Sequence, residues 1–502
     1  MNEIIVNSSL SQTRVALLED KELVELYIER ENSKRTVGNI YKGRVTNVLP
    51  GMQAAFVDIG CEKNAFLFVK DAIPPEMSGS KEVSIRDVVK NGQEIIVQVI
   101  KESIGTKGAR VTTHLTLPGR YLVLMPYIDY IGISRRINDE EERDRLRNIL
   151  EELKPSNMGI IVRTAGEGKT EKELKEDLKF LLKLWQKIDK EKHLGFAPRV
   201  IYKDLDLIHR TIRDMFTGNI DKFVINDKEK YNSIIDLVEL IAPHLRNRVE
   251  FFEMDMDIFD YYRIEKMIYE AIGRKVWLKS GGYIIIDQTE ALTVIDVNTG
   301  KYVGSIDLED TVLRTNKEAA IEIAKQLRLR DIGGIIIVDF IDMNNDGAER
   351  EVLEVLEKAL EKDKTKTNVL GITQLGLLEM TRKKIRGRIG SIMQRKCPYC
   401  DGTGNVLSEY TVIQNIEKEV RRIAVHTNAQ AVLIEVNPSV EALLKADGNR
   451  FVHELEEISN IKIFIEGVDH IHNNHLNVKA MGKIEKIESI IAEKNNDFRK
   501  KE

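Results

Sequence analysis

Thr293-Val-Ile-Asp296-Val-Asn298-Thr-Gly300 and Ile335-Ile-Ile-Val-Asp339-Phe-Ile-Asp342-Met343 decide the reading of this chain. Each is a short apolar run of strand length that ends on an acid. Between them Leu308–Leu329 carries apolar residues at helical spacing. The order strand, helix, strand predicts two parallel neighbours joined by one crossover, with Asp296 and Asp339 at the same edge of the sheet. Ligand sites of open α/β sheets gather at that edge. Gly333–Phe340 is expected to be a buried strand, and the acids to meet where water is scarce. Buried carboxylates repel unless a cation lies between them, and Mg²⁺ is commonly held by one or two carboxylates. Asn298 stands two residues beyond Asp296, able to add an amide oxygen or a hydrogen bond to a phosphate. The pattern points to metal-assisted phosphodiester hydrolysis. Either acid alone would read as a strand-end cap; two such strands and the Asn favour the metal site.

The texture differs on either side of this α/β unit. Residues Asn2–Arg30 read as paired strands. Ile40–Val48, Ala54–Ile59, Ala65–Val69, Glu94–Val99 and Arg110–Leu115 form five short strands separated by turns, the pattern of a small barrel. Phe56, Phe66 and Phe68 lie on these strands, with Lys42, Arg44 and Lys107 nearby. Such a barrel binds single strands by stacking bases on aromatics beside a basic groove; each Phe is equally a candidate for the barrel core. Helices are predicted over Glu140–Leu153 and Glu171–Lys190, on either side of a strand Gly159–Thr164. Arg163-Thr-Ala-Gly-Glu-Gly-Lys169 after that strand fails the phosphate-loop pattern, because Arg163 stands where the first Gly must be. An Arg-Thr pair at a strand end can still hold a terminal phosphate, or the Arg is structural.

The third feature is Cys397-Pro-Tyr-Cys400-Asp-Gly-Thr-Gly404. It follows a basic stretch, Thr381–Lys396, that contains no acid. The glycines suit a loop that curls around thiolates, as in a zinc knuckle. A structural zinc needs four ligands. Cys61 is the only other cysteine and sits in the expected barrel. A second copy of the chain completes the set most simply, giving a zinc-sharing homodimer. A dithiol redox pair or two free thiols are the alternatives. His470-Ile-His472-Asn-Asn-His475 is read as a polar turn in a small α+β tail that contains helices Tyr410–Ala424 and Val440–Lys445 and strands Ala431–Val436 and Lys462–Phe464. Lys483–Glu502 is charged and expected to fray.

Composition bounds these readings. The 502 residues are 42% hydrophobic and 31% charged, enough for several packed cores. Three cysteines exclude a disulfide scaffold. No apolar run reaches the about 18 residues of a membrane span, and Met-Asn-Glu-Ile-Ile-Val is not the start of a signal peptide. A cytoplasmic protein is expected. The net charge of −5 argues weakly against nucleic acid, but a local basic stripe suffices to bind it.

The acid motifs and the Cys loop, with Gly38-Asn-Ile-Tyr-Lys-Gly-Arg44, Ala54-Ala-Phe-Val-Asp-Ile-Gly60 and Ile161-Val-Arg-Thr-Ala-Gly166, resemble the bacterial ribonuclease E/G family, from the first strand to about residue 480. Without a long scaffold-like tail, the chain is similar to the shorter, ribonuclease G type. The resemblance implies a multidomain α/β and α+β fold. It has a ribonuclease-H-like layer built from residues 1–36 and 210–272 and an inserted S1-type OB-fold over 37–118. A 5′-phosphate sensor region over 119–209, a DNase-I-like catalytic unit over 273–394, a zinc link over 395–408 and a small domain over 409–490 follow.

It further implies an endoribonuclease in rRNA maturation and mRNA turnover that cuts single-stranded, A/U-rich RNA, prefers 5′-monophosphorylated substrates, and leaves 5′-phosphate and 3′-hydroxyl ends. Asp296 and Asp339 match the Mg²⁺ ligands, and Asn298 the residue supporting the scissile phosphate. Asp342 has no clear counterpart role. Phe56, Phe66 and Lys107 match RNA contacts, and Lys366 falls where ribonuclease E has an Arg near the cleavage site. Arg163 and Thr164 match the sensor of a 5′-monophosphate, assisted by Arg135 and a backbone contact at Val123. Cys397 and Cys400 match the shared Zn²⁺ site of a homodimer, or of a dimer of dimers. A non-catalytic RNA-binding or assembly factor is the alternative function.

Overall fold

The computed structural model describes residues 1–30, 35–73, 83–103, 107–300, 308–343, 346–446 and 448–499. The chain divides into two compact units, Met1–Ile392 and Met393–Glu502. Among the described residues no helix is long and apolar enough to cross a membrane.

Among the described residues the larger unit contains four sheets. A five-stranded sheet joins distant parts of the chain: Asn2–Ser8 pairs in parallel with Lys222–Ile225, which pairs in parallel with Val249–Phe251, while Gln12–Glu19 and Glu22–Arg30 continue the other side as antiparallel strands. Ile4, Val6, Phe223 and Ile225 pack there against Ile208, Ile212, Phe216 and Val238.

The barrel forms as its alternation predicts. Ile40–Leu49, Ala54–Asp58, Ala65–Phe68, Arg110–Thr112 and Glu94–Lys101 pair in turn, and Glu94–Lys101 closes back on Ile40–Leu49. Ala55, Val57, Ala65 and Leu67 fill its interior. A four-stranded sheet with Leu122–Met125 and Gly159–Val162 at its centre follows. Helices Glu140–Leu153 and Glu171–Glu191 pack on it. The second helix begins with a capping box between Thr170 and Glu173, which satisfies two otherwise orphaned N–H groups.

The sheet that carries the acid motifs has six strands, in the order Lys275–Trp277, Tyr283–Gln288, Leu292–Asn298, Gly334–Asp339, Leu377–Arg382, Thr367–Ile372. Its one parallel pair is the acid pair of strands. The helix Leu308–Leu329 joins them, and Asp346–Leu360 follows. Alternate residues on each strand, among them Ile284, Ile286, Ile295, Val297, Ile336, Val338, Leu378 and Met380, face these two helices and form the core. The opposite face is not covered by this core. Gly334–Asp339 is therefore not the fully buried strand expected: Ile335 is 50% exposed. An uninterrupted Ile-Ile-Ile-Val run looks two-sided, but among the described residues helices cover one side only.

The smaller unit is a three-stranded sheet. Ala431–Val436 pairs in parallel with Lys462–Gly467 and antiparallel with Asn477–Gly482. Helices Glu409–His426, Pro438–Ala446 and Arg450–Ser459 cover one face. The expected fraying after Lys483 is corrected: Ile484–Arg499 is helical, because Ile487, Ile490 and Ile491 form one apolar stripe against Ala431 and Leu433. Residues 500–502 of that expectation lie outside the described residues.

Candidate active site

In the parallel strand pair Asp296 stands directly opposite Asp339. Neighbouring strands lie about 4.8 Å apart. Both acids alternate with helix-facing residues, so both project from the uncovered face at the carboxyl edge. They are exposed, which corrects the expectation of a dry edge. Partial loss of water around Asp339, with the like charges of Asp296 and Asp342, still holds its carboxyl above the usual carboxylate range. Asn298 shares this face. Its Nδ2 donates to Asp296 Oδ2 at 2.8 Å, so the amide nitrogen orients the carboxylate. The turn beyond is forced tight: Gly300 has φ +61°, and a Cβ there would meet the Gly281 carbonyl at 2.5 Å.

Two residues that sequence reasoning missed hold the loops around the acids. Asn316 is fully buried. Its Nδ2 donates to the Ile341 carbonyl at 2.8 Å, and its Oδ1 accepts from the Ile341 N–H at 3.1 Å. That clamp anchors the segment between Asp339 and Asp342. Glu318 accepts the backbone N–H groups of Lys279 at 2.6 Å and Ser280 at 3.2 Å. The available signal was an Asn on the apolar stripe of Leu308–Leu329, in phase with Ala319, Ala320 and Ile323. A polar group there needs a partner.

Lys366 does not join the acids. The register sets Thr367 opposite Arg382, Arg382 opposite Gly334 and Asp339 opposite Leu377. That leaves Lys366 at the other end of the sheet, about 17 Å away along five strand residues. Its loop lies instead beside Arg136, whose guanidinium contacts the Lys364 carbonyl. The basic stretch also divides. Arg382 is buried between Asp331 and Asp363, at 2.8 and 2.7 Å. Arg386 pairs with Asp331 at 2.9 Å, and Arg388 donates to Gln288 at 2.6 Å.

On the barrel, Phe56 and Phe66 are directly opposite across two strands. Their rings meet edge to face with centroids 6.1 Å apart. Both alternate with core residues and are only half-buried, so they face outward. Lys107 is exposed. Lys42 and Arg44 both pair with Glu94 at 3.1 Å. The Ala197 N–H, followed by Lys42 and Arg44, draws the Glu94 carboxyl down to about 2.

Arg163 and Thr164 follow their strand as expected, but the guanidinium is already engaged. It pairs with Asp214 at 2.7 Å and donates to the Gly119 carbonyl. Thr164 Oγ1 meets Ser134 Oγ at 3.0 Å. Arg135 is exposed. Val123 lies mid-strand between Ile161 and Pro118.

In the smaller unit Cys397 and Cys400 lie in a turn ahead of the helix Glu409–His426. Gly402 and Gly404 have φ +82° and +75°, and the Gly404 N–H donates to Cys400 Sγ at 3.3 Å. The Gly404 and Gly402 N–H groups, with Cys397 beside them, lower the Cys400 thiol. The His segment is a turn that grips this loop. His472 and Tyr399 stack at 4.1 Å. His472 Nε2 contacts the Tyr399 carbonyl, and its Nδ1 accepts the Asn474 N–H at 3.0 Å. Both ring nitrogens are thus used, leaving His472 no lone pair for a metal. Among the described residues no group of three or more His, Cys, Asp or Glu forms a metal-holding cluster; the acids and the thiols each remain a pair.

Residues 116–385 match the sequence profile of the ribonuclease E/G family. The chain belongs to the ribonuclease E/G family. Residues 396–481 match the profile described as the RNase E/G thioredoxin-like domain. Although that description names a redox fold, the Cys pair here precedes the helix rather than opening it. Ribonuclease G of Escherichia coli strain K12 is 43% identical, over 92% of this chain and 97% of its own length. Ribonuclease G of Haemophilus influenzae is 42% identical over 95% and 99%. Ribonuclease E of Haemophilus influenzae is 37% identical over 95% of this chain and 52% of its own length.

Proposed function

We propose that this chain, an endoribonuclease of the ribonuclease E/G family, is a Mg²⁺-dependent cytoplasmic enzyme. It cuts single-stranded A/U-rich RNA to 5′-phosphate and 3′-hydroxyl ends and prefers 5′-monophosphorylated substrates in rRNA maturation and mRNA decay. The observation that carries this reading is the in-register pair Asp296 and Asp339 on one uncovered sheet face, with Asn298 bonded to Asp296. The donor set fits a hard cation. The two carboxylates, one strand apart, repel each other; that repulsion adds to the partial loss of water that raises the Asp339 carboxyl, and a divalent ion relieves it. Asp296 and Asp339 would hold it, and when bound it supplies Lewis acidity at a phosphate oxygen. Asn298 orients Asp296, Asn316 fixes the segment carrying Asp339 and Asp342, and the uncovered face admits an extended RNA backbone.

Other parts extend the reading. The outward Phe56–Phe66 pair, with Lys107, suits base stacking on an S1-type barrel. Residues 273–394 serve as the DNase-I-like unit, and 1–36 with 210–272 as the ribonuclease-H-like layer. In 119–209, Arg163, Thr164 and Arg135 receive the 5′-phosphate, which must displace Asp214 from Arg163. Lys366, far from the acids of its own sheet, belongs with Arg136 on that side. Cys397 and Cys400, with N–H groups turned to sulfur, fit half of a Zn²⁺ site in the 395–408 link, completed by a second copy. The test is cleavage of a 5′-labelled A/U-rich oligonucleotide with and without Mg²⁺, with end-group analysis. Tight binding without cut products would select a non-catalytic RNA-binding role instead.

A further inference from the structure

The face that presents the acids carries an aromatic and cationic cluster that neither acid motif accounts for. Trp277, 59% exposed, stands opposite Tyr283, and Tyr283 stands opposite Asn298. One row over, Lys275 is opposite Ile285, Ile285 opposite Asp296, and Asp296 opposite Asp339. Val276, between Lys275 and Trp277, packs on the helix-covered core. Strand alternation therefore directs Lys275 and Trp277 to the acid face. The Trp277 and Tyr283 rings meet edge to face with centroids 5.4 Å apart. The Lys275 ammonium sits 3.8 Å from the Trp277 centroid and 3.5 Å from that of Tyr283. Two rings thus hold one cation in place, while Trp277 keeps substantial surface open to solvent.

We propose that Lys275, Trp277 and Tyr283 form an RNA subsite beside the scissile phosphate: Trp277 stacks a nucleobase and Lys275 pairs with that nucleotide's phosphate. The proposal rests on the nuclease reading of Asp296 and Asp339. Register gives the spacing. Tyr283 is one strand from Asn298 and Trp277 two, about 5 and 10 Å at the usual strand separation, the reach of a neighbouring nucleotide. The surroundings fit RNA better than an apolar protein partner. On the same face Asp287 is paired with Arg274 at 2.5 Å, and the acids close the row, so the aromatic patch is small and bordered by charge. Stacking tolerates any base, so the subsite fixes the position of the strand rather than its sequence.

The experiment is an abasic scan. A single-stranded oligonucleotide with one cleavage site is made with an abasic nucleotide at each flanking position in turn. It is cut by the wild type, Trp277→Ala and Trp277→Phe. Trp277→Ala is expected to lower kcat/KM about tenfold, mainly through KM, and Trp277→Phe to restore most of it. One abasic position should cost the wild type a similar factor and cost Trp277→Ala nothing further, because one contact cannot be lost twice. Equal penalties in both proteins at every position, or wild-type cleavage by Trp277→Ala, would overturn the subsite. The same oligonucleotides are bound to Asp296→Asn, with and without Trp277→Ala, by fluorescence anisotropy. A Trp277-dependent stacking loss there, with no cleavage by the wild type, would reject the nuclease reading and leave the subsite standing.

Discussion

The acid pair and the Arg163 loop look alike in the sequence. Each puts charge at the end of an apolar strand, where a ligand would be met. Their electrostatics are opposite. Asp296 and Asp339 face each other with like charge, and the carboxyl of Asp339 is pushed up by partial loss of water and then by the charges of Asp296 and Asp342. Arg163 is met by Asp214 at 2.7 Å, and Asp214 is also bound by Arg213 at 2.9 Å. A site awaiting a charged ligand leaves its own charge uncompensated, whereas a compensated one must exchange partners. That difference predicts where substitution is severe and where it is mild.

The largest effect is expected at the acids. Asp296→Asn or Asp339→Asn should lower single-turnover cleavage in Mg²⁺ by about a thousandfold or more, since a bound metal contributes several kcal/mol, with RNA affinity little changed. Near-wild-type cutting by either variant would end the comparison. Next comes Asn316→Ala. It strips both hydrogen bonds from Ile341 in a buried setting, so it should cost about 1–3 kcal/mol in denaturant unfolding and at least about tenfold in kcat through displaced acids. A stability loss with unchanged kcat would show that the segment holds its place unaided.

The contrast sharpens at Arg163. Arg163→Ala should narrow the rate ratio between monophosphorylated and hydroxyl substrates about tenfold. Asp214→Asn should widen it, because the competing carboxylate is gone. Equal ratios in all three proteins would make the Arg163–Asp214 pair purely structural, worth about 1 kcal/mol or less. The smallest effects are in stability. Without Mg²⁺, Asp339→Asn should melt slightly above the wild type near pH 7. A raised native carboxyl favours the fold below its unfolded value and loses that advantage as the pH rises through its native one. Saturating Mg²⁺ should reverse the order. Glu94, drawn down to about 2, behaves oppositely: its contribution is present above the ordinary carboxyl value and lost on acidification. The melting temperatures of wild type and Glu94→Gln should therefore converge between about pH 5 and pH 2.

Much of the architecture was legible because it follows local periodicity. The barrel strands, the helices Glu140–Leu153 and Leu308–Leu329 and the parallel acid strands arise where alternation or helical spacing predicts them. The misreadings share a cause. Gly334–Asp339 reads as buried because apolarity does not reveal how many of its faces are covered. The terminal helix reads as frayed because its charge masks the Ile487, Ile490 and Ile491 stripe. Where Lys366 lies relative to the acids was not legible at all, because strand order, unlike sequence distance, decides which end of a sheet a residue reaches.

From residue types and spacing alone came the chemistry on offer: two strand-end acids with an Asn, a Cys pair between glycines, aromatics on barrel strands. Those are properties of short segments, which backbone sterics and side-chain alternation govern. Only the folded chain decided which charges stand alone and which are already paired, which ring faces outward, and that Lys275, Trp277 and Tyr283 share a face with the acids. Such facts depend on strand neighbours, and strand pairing is a contact between residues that the chain itself keeps apart.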